Sequence, residues 1–187
     1  AGADCARPLV LAPTIPVGAS DHHLPFGGTL SLSPETLQAV LLDLARSVAA
    51  GGGRRLVIVN GHGGNRGVCH AAAAAASTRH GLAVGYLDYW TLLDASGDPR
   101  VPGHAGEFET SMVLAVRPEL VRSRTPRDEP RWVPVVRNVD IYSGAVWRDI
   151  EGYTDDPARA DAGQGDAWLE TCVATLSDRL IDLAVTL

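Results

Sequence analysis

The sequence predicts an α/β fold, a mostly parallel sheet with helices on both faces. Three observations carry that expectation. Strand-like and helix-like segments alternate along the chain, glycine or proline marks most of the transitions, and Arg55 to Asn60 (RLVIVN) is β-branched and apolar on both faces. A strand of that last kind needs cover on both sides, as parallel strands have in α/β proteins.

Leu9 to Ala12, a short apolar run stopped by Pro13, is expected as a first strand. Ser33, Pro34 and Glu35 read as a helix start, and Leu37, Val40, Leu41, Leu44 and Val48 then recur at helical spacing until Gly51 to Gly53. After the strand Arg55 to Asn60, a helix is expected from about Gly67 to His80 with Gly81 as its left-handed stop. A strand from Leu82 to Asp88 and a helix from about Glu107 to Val116, ending near Pro118, follow. Trp168, Leu169, Cys172, Val173, Leu176, Leu180 and Ile181 form one stripe of a long closing helix, and residues 131 to 150 are expected to be extended. Ligands in such folds gather beyond the carboxyl ends of the strands.

Composition bounds the function. The 187 residues are 45% apolar and 20% charged, which suits one globular domain spanning 1–187. Sixteen basic against 22 acidic residues leave a formal charge of −6, so nucleic acid is not an expected partner. No apolar run approaches the roughly 20 residues of a membrane span, and the start lacks a basic stretch leading into an apolar one. Cys5, Cys69 and Cys172 are too few and too scattered for a disulfide framework or a cysteine zinc site, so a cytoplasmic location is expected. The first residue is Ala1 rather than methionine, and a trimmed or partial product is expected.

Three clusters carry chemistry. Asn60-Gly61-His62-Gly63-Gly64-Asn65 puts a histidine at a strand's carboxyl end among glycines that let a ligand approach the backbone. Its spacing matches neither a dinucleotide fingerprint nor a phosphate loop. His104-Ala105-Gly106-Glu107-Phe108-Glu109 places a histidine and two carboxylates at a helix start. Glu107 and Glu109 lie about 200° apart around a helix and need separate roles; the plain alternative is that both only complement the helix dipole. An imidazole and a carboxylate converging with the loop histidine would make a site for Zn²⁺, Mn²⁺ or Fe²⁺. Gly18 to Thr29 carries Ser20, Asp21, His22 and His23 in a glycine- and proline-rich loop. Neighbouring side chains diverge, so one of the two histidines lining a pocket is expected rather than both ligating. Tyr86, Tyr89, Trp90, Trp132, Tyr142 and Trp147 are read as core or interface aromatics. A serine hydrolase is not indicated, because no GxSxG elbow occurs.

In order, GxSxxHxxFxGTxSL (Gly18 to Leu32), VNGHGGN (Val59 to Asn65), GHAGEFETS with Pro118 and Val121, and the segment Gly152 to Ala158 resemble the creatininase (creatinine amidohydrolase) family. The resemblance implies a three-layer α/β/α sandwich, two divalent metal ions, hydrolysis of a non-peptide or short peptide-like C–N amide bond and a homo-oligomer, usually a hexamer. It implies His62 as a metal ligand. Creatininase proper has an acidic ligand where this chain has Gly64, and members with the GHGGN form have a glutamate at the position of Glu107, taken as the replacement. It implies His104 as the histidine that protonates the leaving nitrogen, Glu109 and Asn65 as residues bracing the site, and Ser20 and His23 at the substrate pocket. The backbone N–H groups of Gly63 and Gly64 would stabilise the developing oxyanion. The family's upstream Glu-x-His-Gly strand and bridging aspartate have no match before Ala12, so a missing N-terminal strand and an open sheet edge are expected. The rival reading is a degenerate, non-catalytic relative that binds a small ligand or serves assembly.

Overall fold

The computed structural model describes residues 8–94, 98, 100–123 and 126–187; Cys5 lies outside them. The order is α1 (Pro34–Ala50), β1 (Arg55–Asn60), α2 (Arg66–His80), β2 (Ala83–Asp88), α3 (Glu107–Val116), α4 (Gly144–Asp149) and α5 (Ala162–Thr186), with short 3₁₀ turns between. By their contacts the residues fall into two compact units. The first comprises 8–24, Gly28–Leu92 and Ala174–Leu187, and the second comprises Pro25–Gly27 and the described residues of Leu93–Val173.

In the first unit, β1 and β2 pair in parallel from Arg55 opposite Ala83 to Asn60 opposite Asp88. Ser33 caps α1 by accepting the Thr36 N–H at 3.2 Å, with Pro34 in the first turn, and Gly81 ends α2 in the left-handed region at φ 63°. Small side chains let α1 and α2 approach closely: Ala45, Ala76 and Leu82 form a buried cluster flanked by Leu42, Val48, Ala49, Leu56 and Val84. Leu56 and Val84 are register partners facing these helices. The next pair, Val57 and Gly85, points to the opposite face, where Leu183 of α5 lies 3.4 Å from the Cβ position of Gly85. Helices therefore cover both faces of the sheet, and the expected α/β/α layering is observed.

Two expectations are corrected. Leu9 to Ala12 forms no strand; Val10 and Leu11 are 93% and 97% exposed, and β2 is the strand paired with β1 among the described residues. An apolar run becomes a strand only where a neighbour accepts its backbone hydrogen bonds. Residues 131–150 are not uniformly extended, since a bridge joins Val136 to Val139 and α4 follows. The overlooked signal was Ser143, whose hydroxyl accepts the Val146 N–H and starts that helix. Val173 is 61% exposed and so departs from the buried stripe expected for α5. None of the described helices is long and apolar enough to cross a membrane.

The second unit is built around Phe108, fully buried in α3 with Trp168 of α5 at 5.0 Å between ring centroids. The Ser111 hydroxyl donates to the Glu107 carbonyl at 2.6 Å and accepts the Asp161 N–H at 3.0 Å, joining α3 to the start of α5. Gly165 passes so close to this turn that a Cβ there would collide with the Ser111 carbonyl and stand 2.8 Å from the Met112 nitrogen. Gly165→Ala is accordingly expected to force α3 and α5 apart and cost about 1–3 kcal/mol, read as a lower midpoint in urea unfolding.

Candidate functional site

The carboxyl ends of β1 and β2 carry two buried polar residues, Asn60 and Asp88, opposite one another in register. The Asn60 amide donates to Asp88 Oδ1 at 2.7 Å, to the His62 carbonyl at 2.8 Å and to the Tyr86 hydroxyl at 3.2 Å. Its Oδ1 accepts the His62 N–H at 3.1 Å and an Asn65 Nδ2–H at 3.2 Å. Tyr86 donates a short hydrogen bond to Asp88, and Arg66 reaches the other Asp88 oxygen at 2.9 Å. Asn65 extends the network to the neighbouring loop, its Oδ1 accepting the Ala19 N–H at 2.8 Å. The loop from Gly61 to Asn65 is thus shaped by side chains, because no regular backbone ladder is available there.

This shaping brings three histidines together. The 3₁₀ turn Asp21–His23 carries two of them and the β1 loop carries His62, and one ring nitrogen from each lies within 4.8 Å of the others. His22 and His62 stack at 5.7 Å between centroids with planes 4° apart, while His23 is tilted 50° to His22 at 4.0 Å. Ser20 Oγ meets His23 Nδ1 at 3.0 Å, and the Ala19 carbonyl accepts a hydrogen bond from the His62 ring. Burial pushes the His22 and His62 imidazoles below their ordinary value; at His22 the neighbouring His62 adds to this and Asp21 opposes it, and at His62 the Ala19 carbonyl opposes it. The neutral form so favoured is the one that binds metal. Such a donor set fits a divalent transition ion. The expectation that adjacent His22 and His23 would diverge is corrected: a tight 3₁₀ turn, not an extended strand, carries them.

The other expected site residues belong to the second unit. The His104 backbone N–H donates to Thr154 Oγ1 at 2.7 Å, its carbonyl accepts the Thr154 N–H at 2.9 Å, and its ring meets Trp147 edge-on at 5.5 Å. His104 Nδ1 lies 3.8 Å from Glu109 Oε2, which also accepts the Ala105 N–H at 2.7 Å. Asp155, buried, accepts the Glu107 N–H at 2.8 Å at the first turn of α3 and the Thr154 hydroxyl at 2.9 Å. The Glu107 carboxylate is held between Arg100 at 3.3 Å and Arg159 at 3.6 Å. Within the first unit, His62 is joined by His23 and by His22, which had not been singled out as a ligand. Ser20 and Asn65 brace this cluster, and Gly63 and Gly64 open the exposed turn beside it. Sequence reading missed Asn60, Asp88, Tyr86, Thr154 and Asp155. Polar residues at the carboxyl ends of two parallel strands were the available signal for the first two.

Asn60→Ala removes the carboxamide at the centre of this network and leaves buried polar partners unmatched, an expected loss of about 3 kcal/mol in unfolding free energy. Asn60→Asp keeps the volume but sets a carboxylate against Asp88, so its thermal melting point should fall at neutral pH and recover in acid. Burial, with Asp155 nearby, raises the Glu109 carboxyl above its ordinary 4.5 despite the Ala105 N–H. The folded state then holds that proton more firmly than the unfolded state, so stability from this group declines as pH climbs from 4.5 through the raised value. Glu109→Gln should therefore gain in melting temperature on the parent as pH rises through that window, with the gain vanishing below it.

A family model described as Creatininase, creatinine amidohydrolase, matches residues 1–180. The mycofactocin precursor peptide peptidase of Mycobacterium tuberculosis (strain CDC 1551 / Oshkosh) is 36% identical over 157 residues, covering 83% of this chain and 59% of that protein. The creatinine amidohydrolase of Pseudomonas putida is 29% identical over 194 residues, 87% of this chain and 67% of that protein. Two solved structures, a creatininase with Mn and a glutamate-to-glutamine creatininase variant of Zn-Zn type, align with TM-scores of 0.68 and 0.65. Each is 27% identical, and each alignment covers 84% of this chain and 67% of the other. The chain spans 43% to 59% of the length of several curated relatives it matches. With a family model matching nearly the whole chain and structures aligning along most of it, the chain belongs to the creatininase family.

Proposed function

We propose that this chain is part of a metal-dependent hydrolase that adds water across a C–N amide bond of a peptide-like substrate, releasing a carboxylic acid and an amine. The observation that carries the reading is the convergence of His62 with two further imidazoles at the carboxyl end of β1, within 4.8 Å. The peptide-like substrate is favoured over a cyclic amide because relatives named peptide peptidases match at 35–39% identity, against 29% for the creatinine amidohydrolase. Gly64, where creatininase proper carries an acidic ligand, points the same way. That preference departs from the non-peptide bond type drawn from the resemblance.

A divalent ion held here would supply Lewis acidity and a means of activating water near neutral pH. His62 would hold the ion, and the Ala19 carbonyl keeps its ring in register. His104 delivers the proton that the departing nitrogen needs, and Glu109 orients its ring from the Nδ1 side. Gly63 and Gly64 N–H groups steady the oxygen that gains charge. Ser20 and His23 border the substrate. Glu107 is the carboxylate ligand of the reading, and Arg100 and Arg159 compete for its oxygens. Two ions are proposed by analogy with the neighbour of Zn-Zn type. A homo-oligomer is supported by apolar side chains left at the surface, among them Leu30 at 76% and Val135 at 89% exposure. The buried thiols of Cys69 and Cys172, neither of them in a disulfide, suit a reducing cytoplasm.

Metal content by elemental analysis and peptide amide cleavage by mass spectrometry test the reading together. His62→Ala should lose metal and turnover, whereas His104→Ala should keep metal and lose at least about 100-fold in turnover. A parent chain that binds no metal and cleaves no amide would leave the non-catalytic binding protein as the better account.

A further inference from the structure

We propose that Arg159 recognises a carboxylate carried by the substrate, so that the chain selects peptide-like amides bearing a free carboxylate over uncharged ones. The proposal rests on the reading above that Glu107 is a metal ligand, and its readout is binding and not hydrolysis.

Charge pairing at the start of α3 leads to it. Two guanidinium groups, those of Arg100 and Arg159, meet one carboxylate, that of Glu107. Arg100 does not depend on that carboxylate. Its Nε and Nη2 donate to the oxygens of Asp98 at 2.7 to 3.1 Å, and it gives Glu107 only Nη1, at 3.3 Å. Arg159 has no comparable second partner: its Nε lies 3.6 Å from Glu107 Oε2, and its Nη groups make no hydrogen bond among the described residues. The Arg159 side chain is 69% exposed, against 15% for Glu107, so water reaches the arginine while the carboxylate is largely covered. A Glu107 committed to an ion would no longer neutralise Arg159, whereas Arg100 would keep Asp98. The guanidinium left without a counter-charge is Arg159.

Its place in the fold is a second, independent observation. Thr154 accepts the His104 N–H and Asp155 accepts the Glu107 N–H, so the segment Gly152 to Ala158 fixes the backbone of both residues. The same segment leads directly into Arg159. Asp156 caps the 3₁₀ turn Pro157–Arg159 by accepting the Ala158 N–H at 2.9 Å, and its carbonyl accepts the Arg159 N–H at 3.2 Å. The backbone of Arg159 is therefore held beside the start of α3 while its side chain stays available.

Donor geometry sets the ligand. A guanidinium keeps its charge at every working pH and offers paired N–H donors that match the two oxygens of a carboxylate. With Nε turned to Glu107, Nη1 and Nη2 form that fork. A terminal carboxyl group and an acidic side chain present the same chemistry, and the test separates them.

The test measures binding of randomised N-acetyl hexapeptides to the full chain in the presence of ZnCl₂, by equilibrium dialysis read by mass spectrometry. Three mixtures are compared: free acids lacking Asp and Glu, the same peptides as terminal amides, and terminal amides with one Asp added. One or both of the acidic mixtures should bind at least about 10-fold more tightly than the uncharged amides, and which of them does so identifies the source of the carboxylate. Arg159→Ala should bring the acids down to the level of the amides, and Arg159→Lys should restore part of the difference, with folding verified by circular dichroism. Arg179→Ala, which removes the same charge from an exposed position of α5 paired with Asp182, should leave the preference intact. An absence of acid preference in the parent, retention of no mixture included, would overturn the proposal, as would a preference that survives in Arg159→Ala. Acid preference lost in Arg159→Ala, in a chain that cleaves no amide, would leave this site standing and sink the hydrolase reading; amide cleavage without acid preference would do the reverse.

Discussion

The amide side chain of Asn60 is the constraint on which the first unit's functional end depends. It sits where two parallel strands stop and backbone pairing ends, so the loops beyond have no ladder to define them. Asparagine can donate and accept from one group, and Asn60 uses both: it donates to Asp88, Tyr86 and the His62 carbonyl and accepts from the His62 N–H and from Asn65. Asn65 in turn grips the Ala19 N–H, two residues before the turn that carries His22 and His23. The positions of three imidazoles thus trace back to one buried amide. The carboxylate of Asp88 is tolerated in this burial because Arg66, Tyr86 and Asn60 all meet it.

The second unit solves the same problem with different groups. Thr154 and Asp155 take the backbone polar atoms of His104 and Glu107, so a segment distant in sequence fixes the entry to α3. His104 is then presented between Trp147 and Glu109, one an apolar wall and the other an acceptor near its Nδ1. In each unit the residues that set the geometry are buried and polar; of the histidines that offer chemistry, His22, His62 and His104 are half-buried and His23 is buried.

Regular elements were legible wherever periodicity and punctuation agreed. The strand Arg55–Asn60 and the helix Glu107–Val116 lie where the sequence places them, because RLVIVN needs cover on both faces and Pro118 stops the helix from running on. Leu9 to Ala12 misled because apolarity alone does not supply a partner strand. At the site, His62, Ser20, His23 and Asn65 were readable from a loop motif. His22 was not, since adjacency in sequence argues against shared ligation unless the backbone coils tightly, and nothing local announces a three-residue 3₁₀ turn. Asn60, Asp88 and Asp155 escaped for a related reason: their roles lie in pairings across 28 to 48 residues of sequence. Glu107 was read as a metal-seeking carboxylate, and its contacts with Arg100 and Arg159, one seven residues before it and one far after it, were invisible to motif reading.

The buried cluster between α1, α2 and the sheet is Ala45 and Ala76 with Leu82, flanked by Leu42, Val48, Leu56 and Val84. Apolar burial contributes in proportion to area, about 25 cal/mol per Å², so alanine contacts bring helices close without much stabilisation each. The hydrogen-bond network at the strand ends adds a separate contribution. An ion held by His62 would add to the same end of the sheet, since a ligand at 100 times its dissociation constant stabilises the folded form by about 2.7 kcal/mol. That is comparable to what the Asn60 hydrogen bonds supply. Folding of this unit and the presentation of its three imidazoles are consequently coupled through the same few residues, Asn60, Asn65 and Asp88.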